Sequence, residues 1–267
     1  MLTIRYEDND IIVLEKPSGI ESQASKGFEP DLVSQIQNHI AKGAKPFGDH
    51  SNKICTELST NWGKRSTKPV QKGKKTSETL EQPYVAVIHR LDKPVSGIMV
   101  YAKTKKAAAA LSSQVKEGKM DKIYYAVICG KPVDNVGNYV DYLRKDGKKN
   151  CSEIVDKSRA DGKRAELEYQ VVETVTKDLV ASLVRVHLLT GRHHQIRVQF
   201  AGRGMPLWGD NRYHPDFASK KIRGTIALCG AGLSFSHPSS GERMDFWMKP
   251  EGGAFSWFCQ KCFESCV

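Results

Sequence analysis

The stretch His89-Arg90-Leu91-Asp92-Lys93-Pro94-Val95-Ser96-Gly97 gathers a carboxylate, two cations, an imidazole and a hydroxyl. Apolar residues flank it, Val85 and Val87 before and Ile98 to Ala102 after, so it reads as a polar turn between two strands. Reactive groups on a loop held by a rigid sheet form the usual setting of a site. Arg90 and Lys93 favour the carboxylate form of Asp92, and a carboxylate held in a pocket can act as nucleophile or base. The same Asp could equally do no more than cap the turn.

A second stretch, Thr190-Gly191-Arg192-His193-His194-Gln195-Ile196-Arg197-Val198, takes a strand through a Gly turn into a helix start. Backbone N–H groups at such a start can hold a phosphate. Arg192 and Arg197 need not share a face, so one could hold phosphate while the other reaches inward. An inward Arg needs an anion, and Asp92 is the natural partner. The alternative is two solvated arginines on a basic surface. His89, His193, His194 and His237 raise the question of a metal hydrolase, with His89-x-x-Asp92 loosely ligand-like. Arg90, Lys93 and Arg197 would crowd a cation, and there is no His-Glu-x-x-His helix. No metal is expected, and His194 reads as a hydrogen-bonded support for the turn.

The elements that must position these groups follow from periodicity. Residues 2–7 and 10–15 predict two strands around Asn9-Asp10, broken by Lys16-Pro17-Ser18-Gly19. Leu32, Val33, Ile36 and Ile40 recur at helical spacing behind Asp31 as cap. Residues 84–89 and 98–102 predict the strands beside the Asp92 turn, and 104–119 an Ala-rich helix capped by Thr104. Further strands are expected at 122–129, 165–171, 179–189 and 225–236, a hairpin with loop at 139–163, and a helix within 191–202. Strands follow one another through hairpins as often as through helices. The expected class is α+β, a mixed, largely antiparallel sheet with flanking helices.

The chain has 267 residues, 41 Lys plus Arg against 30 Asp plus Glu, and a net charge of +11. Such an excess suits a polyanionic partner. Mean hydropathy is −0.47, and no apolar run approaches the ~20 residues of a membrane span. Met1 to Asp10 lacks the apolar core of a signal peptide. A soluble intracellular protein is expected, cytoplasmic by default, with nucleus or organelle open. Residues 43–83 read as a flexible basic insertion, with seven basic residues between Lys53 and Lys75 against the acid Glu57. It could clamp RNA phosphates or serve as a solvated linker. The seven Cys are scattered, which argues against a disulfide framework. Cys259-x-x-Cys262 with Cys266 has no second pair to complete a zinc site, so free thiols in a frayed tail are expected.

Taken together, these stretches resemble the RluA-type pseudouridine synthases. The resemblance rests on His89–Gly97, on Lys122-Ile123-Tyr124-Tyr125-Ala126-Val127-Ile128-Cys129-Gly130, on Thr190–Val198, and on Gly204-Met205-Pro206-Leu207-Trp208-Gly209-Asp210. An opening like Tyr6-Glu7-Asp8 through Lys16-Pro17-Ser18-Gly19 is also typical of that family. The matches keep their order over residues 4–250. The resemblance implies the pseudouridine synthase catalytic fold in a single domain at 1–250; residues 251–267 read as a Cys-rich tail, and no separate N-terminal RNA-binding domain is expected. It implies an RNA pseudouridine synthase, an isomerase acting on uridines of rRNA or tRNA without cofactor. Asp92 would be the catalytic aspartate, Tyr124 the aromatic stacked on uracil, Arg197 the partner of Asp92, and Leu228 part of the pocket wall. Arg90, Arg192 and His194 would help bind the substrate. Outside the family, Tyr124 would read as strand packing, and Tyr125 should face the opposite side. Two departures from the pattern stand out: Val95 stands where many relatives have Thr, and Cys229-Gly230 where His-Ala is common. The competing functions are a catalytically silent RNA-binding protein of the same fold and a metal-dependent nuclease.

Overall fold

The structure is a computed structural model that describes residues 2–24, 31–43, 82–176, 179–219, 221 and 224–263. Residues 44–81 of the expected basic insertion lie outside the described residues, as does Cys266.

The chain opens with β1 (Thr3–Glu7) and β2 (Ile11–Lys16), then α1 (Leu32–Ala41). β3 (Ala86–Val87) and β4 (Ser96–Ala102) flank the Asp92 turn, and α2 (Lys105–Lys116) leads to β5 (Asp121–Cys129). β6 (Val136–Asp146) and β7 (Cys151–Val155) make a hairpin, followed by the long pair β8 (Lys163–Thr176) and β9 (Val180–Leu188). α3 (Gln195–Ala201), the single turn α4 (Pro215–Ala218), β10 (Leu228–Ser236) and β11 (Arg243–Trp247) complete the set, before 3-10 turns at Gly253–Trp257 and Gln260–Phe263.

The strands form one sheet in the order β1-β2-β4-β10-β5-β9-β8-β6-β7, with β11 paired to β10 and β3 to β4. Its pairs are antiparallel apart from β4 and β10, which run parallel over Ser96↔Cys229 and Gly97↔Gly230. The fold is the expected α+β class.

Alternation along β2 sends Ile12 and Leu14 to one face and Ile11 and Val13 to the other, and all four are buried. A strand covered on both faces must read as a continuous apolar run, as Ile11-Ile12-Val13-Leu14 does. α1 and α3 cover the first face with Leu32, Ile36, Ile196 and Phe200. α2 covers part of the second with Ala107 and Leu111. Phe255, Phe258 and Phe263 cover the rest, against Tyr125, Leu183 and Cys229. The segment expected to fray is therefore docked as far as Phe263, because its aromatic rings cap an apolar sheet face.

Both expected caps are present. Asp31 accepts the Ser34 N–H at 3.0 Å, and Thr104 Oγ1 accepts that of Ala107 at 3.1 Å. The strand expected at 84–89 shortens to Ala86–Val87, opposite Ala102 and Tyr101.

Candidate active site

The Asp92 turn is held from beneath by the opening stretch of the chain. Val95 N–H closes the turn onto the Asp92 carbonyl at 2.9 Å. Ser22 Oγ donates to the Leu91 carbonyl at 2.9 Å. Ser18 Oγ donates to the Pro94 carbonyl at 2.7 Å. The Lys16 ammonium, fully buried at the end of β2, donates to the carbonyls of Pro17 at 3.0 Å, Lys93 at 3.0 Å and Val95 at 2.7 Å. Burial pushes the Lys16 ammonium down to about 8, and the negative charge of Asp92 works the other way. A cation fixed beneath the turn and a carboxylate above it make the turn electrostatically self-supporting.

Arg197 reaches Asp92 from α3. Its side chain is 3% exposed and that of Asp92 is 30% exposed. Nη1 donates to Asp92 Oδ2 at 3.0 Å. Nε and Nη2 form a fork onto Asp210, 2.7 Å each, the bidentate geometry that guanidinium favours. Asp210 is fully buried. Burial alone would raise its carboxyl, yet the Arg197 fork and the N–H groups of Arg212 and Tyr213 outweigh it and hold the group below the usual range. Asp210 thus compensates the buried guanidinium, and the third donor of Arg197 is aimed at Asp92. Gly209, just before it, packs so tightly that a Cβ there would sit 2.0 Å from the Thr225 carbonyl oxygen.

The turn ahead of α3 is locked internally. Gln195 Oε1 accepts from Thr190 Oγ1 at 2.7 Å and from Arg192 N–H at 3.0 Å. His194 caps the helix with φ 55°, a left-handed conformation uncommon outside glycine. Its Nε2 lies 3.4 Å from Asp92 Oδ2, and its Nδ1 lies 2.8 Å from the Tyr213 hydroxyl. Burial lowers the His194 imidazole, Asp92 opposes that shift, and Arg197 and His193 add to it. Both contacts to the Asp92 carboxylate fall on Oδ2, and among the described residues Oδ1 takes no hydrogen bond.

Tyr124 and Leu228 form the apolar side. Both are buried and share a core cluster with Leu91. Burial first, then Asp92, raises the Tyr124 phenol above its ordinary value, which puts the ring within the field of that carboxylate. Gly230 makes room: a Cβ there would lie 3.3 Å from Tyr124 Cε1. Gly97 crosses Gly230 so closely that a Cβ on Gly97 would lie 2.7 Å from the Gly230 oxygen. Two facing glycines therefore let β4 and β10 meet beside the Asp92 turn. Tyr125 faces the other way, edge-on to Trp247 and Phe263.

Asp92, Arg197, His194 and Tyr124 thus come together, and Leu228 shares the apolar cluster of Tyr124 and Leu91. Arg90 and Arg192 do not join them, since both are exposed, and Arg192 Nε donates to the Arg164 carbonyl at 2.8 Å. His89 turns inward, where Nε2 accepts the Val100 N–H at 3.3 Å and burial pushes the imidazole down to about 3. Among the described residues no three His, Cys, Asp or Glu side chains group as metal ligands.

Among the contributors that carry no role in the sequence reading are Lys16, Asp210 and Tyr213. Lys16 follows an apolar strand, a place where a Lys must find acceptors. Asp210 lies in a quoted stretch, but a Gly-Asp pair also describes any solvated turn.

The family model for RNA pseudouridylate synthase matches residues 10–202. The chain belongs to this family. An uncharacterized RNA pseudouridine synthase of Aquifex aeolicus is 31% identical, covering 96% of this chain and 72% of the relative. Ribosomal large subunit pseudouridine synthase D of Zymomonas mobilis is 28% identical, over 92% of this chain and 68% of the relative. Ribosomal large subunit pseudouridine synthase C of Escherichia coli is 29% identical, over 90% of this chain, which spans 64% of that relative's length. The structure of human RNA Pseudouridylate Synthase Domain Containing 1 has the same fold, with TM-score 0.65 at 19% identity over 94% of this chain and 84% of that one. Membership makes the chain a pseudouridine synthase by family, an isomerase. No described helix is long and apolar enough to cross a membrane.

Proposed function

We propose that the protein isomerises uridine to pseudouridine in ribosomal RNA, with Asp92 as the catalytic carboxylate. The observation that carries this reading is Asp92 Oδ2 bonded to the buried Arg197 at 3.0 Å, with its charge felt by the buried Tyr124. The reaction breaks the N1–C1′ bond, turns the base and joins C5 to C1′. C5 gives up a proton and N1 gains one, so no redox partner or phosphate transfer is needed. Asp92 serves either by attacking the nucleoside covalently or by taking a proton from the sugar. Arg197 orients the carboxylate through one oxygen, and the other faces the substrate.

The target uracil must leave its stack, which costs a few kcal/mol. Stacking on Tyr124 and phosphate contacts offset that cost. Arg90 and Arg192, exposed on the turns that carry Asp92 and lead to Arg197, suit phosphates. His193 feels the same positive surroundings: burial lowers its imidazole first, then Lys145, with Arg197 and Arg212 adding and Asp92 opposing. The Zymomonas mobilis and Escherichia coli relatives are named as ribosomal large-subunit enzymes, which favours rRNA over tRNA.

The test is to incubate the purified protein with an unmodified large-subunit rRNA transcript and map pseudouridine at nucleotide resolution. Product at discrete uridines supports the reading. RNA binding without product would favour a catalytically silent binder of the same fold.

A further inference from the structure

We propose that Tyr213 is a positioning residue for the carboxylate of Asp92, acting through His194. The inference rests on the reading of Asp92 as the catalytic group. It comes from following the polar contacts outward from Asp92 Oδ2, first the 3.4 Å approach of His194 and then hydrogen bonds, until they reach the β6–β7 hairpin.

Tyr213 ends a turn whose N–H groups at Arg212 and Tyr213 donate to Asp210 Oδ1, at 2.9 and 3.2 Å. Its ring lies against the Arg197 guanidinium, 5.2 Å from centroid to Cζ. Its hydroxyl oxygen accepts the backbone N–H of Ser152 in β7 at 2.7 Å. That bond uses an oxygen lone pair and leaves the phenolic hydrogen free. His194 Nδ1 stands 2.8 Å away and takes it. An imidazole that accepts at Nδ1 carries its proton on Nε2, and Nε2 faces Asp92 Oδ2 at 3.4 Å. The opposite tautomer would aim a lone pair at the carboxylate, and its Nδ1–H at a phenol oxygen already engaged by Ser152. Tyr213 therefore selects the tautomer that supports Asp92.

The surroundings keep His194 in place for this task. His193 stacks on it at 3.8 Å with 23° between the rings. His193 Nδ1 in turn meets Ser152 Oγ at 2.9 Å. Ser152 thus holds both neighbours of His194, Tyr213 through its backbone N–H and His193 through its hydroxyl. Burial, Arg197 and His193 favour neutral His194 against the pull of Asp92 and Asp210, and only a neutral ring has a tautomer to select. The carboxylate oxygen that Arg197 grips is the one His194 faces. Asp92 is oriented from two sides, and the second side is anchored in the hairpin strand β7.

Tyr213→Phe removes the hydroxyl and keeps the ring against Arg197. Histidine-labelled wild-type protein at neutral pH, its signals assigned with His194→Gln, should show His194 protonated on Nε2 and bare at Nδ1. In Tyr213→Phe the His194 nitrogen shifts should move towards a tautomer mixture. Single-turnover rates at saturating rRNA transcript should fall about fivefold to tenfold, the worth of one ordinary hydrogen bond, with RNA affinity unchanged. A wild-type His194 protonated on Nδ1, unmoved nitrogen shifts in Tyr213→Phe, or an unchanged rate would overturn the proposal. The wild-type spectrum decides even where the variant misfolds. It also separates this proposal from the function: wild-type protein that makes no pseudouridine would remove the proposed reaction, while the spectrum still decides the relay.

Discussion

Arg197 serves two carboxylates at once, so the cost of changing either partner is unequal. Asp210 compensates a buried cation, while Asp92 receives one of its donors. Breaking a buried pair by removing one partner costs about 3–5 kcal/mol, because a buried charge is left without compensation. Asp210→Asn should therefore lower unfolding stability by about 3 kcal/mol in urea titrations, whereas Asp92→Asn should cost less than half of that. Equal losses would show that Asp210 does not carry the guanidinium. The pairing of Asp92 with Arg197 was legible in the sequence, since an inward Arg needs an anion. Asp210 was not, because nothing in Gly209-Asp210 tells a buried counter-ion from a solvated turn. Lys16 was hidden for a similar reason: its three carbonyl partners are backbone atoms, which residue types do not announce.

At the scale of elements, the parallel contact of β4 and β10 depends on two facing glycines. Gly97→Ala would place a methyl group 2.7 Å from the Gly230 oxygen. The strands would have to part, at a cost of about 3 kcal/mol, and the Asp92 turn leads directly into β4. Gly147→Ala, with nothing within 4 Å of its Cβ, is the control. Thermal unfolding should separate the two variants widely; matching midpoints would mean that the crossing carries no constraint. Central strands were legible because their apolar runs have one reading. The elements at the margin were not. α4 is a single turn at Pro215–Ala218, too short for any helical period. The 3-10 turns from Gly253 to Phe263 are placed by Phe255, Phe258 and Phe263 docking on the sheet rather than by local pattern. β3 is cut short because the chain leaves β4 after Val87 to make the Asp92 turn.

For the whole molecule, charge governs both stability in acid and affinity for RNA. Burial holds His89 and His194 below their ordinary values in the folded state. The unfolded chain therefore binds more protons below pH ~6.5, so stability is full above that pH and falls as the pH drops, by up to ~1.4 kcal/mol per pH unit for each group. Asp210, held low when folded, adds a loss further into acid, below pH ~4. Urea midpoints at pH 7.5, 6 and 5 should decline in that order; a flat series would mean that both imidazoles charge freely in place. The net charge of +11 predicts RNA binding that weakens steeply with salt. Deleting residues 43–83 should flatten that slope, because seven basic residues lie between Lys53 and Lys75. An unchanged slope would make the insertion a spacer. Basic composition announced an anionic partner from the sequence, but charge is shared by every polyanion, so the choice of one RNA was not legible.

One comparison bears most directly on Asp92 as the reacting group. Wild-type protein and Asp92→Ala, matched for unfolding midpoint and RNA affinity, are incubated with the same large-subunit rRNA transcript, and pseudouridine is counted at each uridine over time. The account predicts site-specific product with the wild type and none with the variant. Product from Asp92→Ala at the wild-type rate would contradict it.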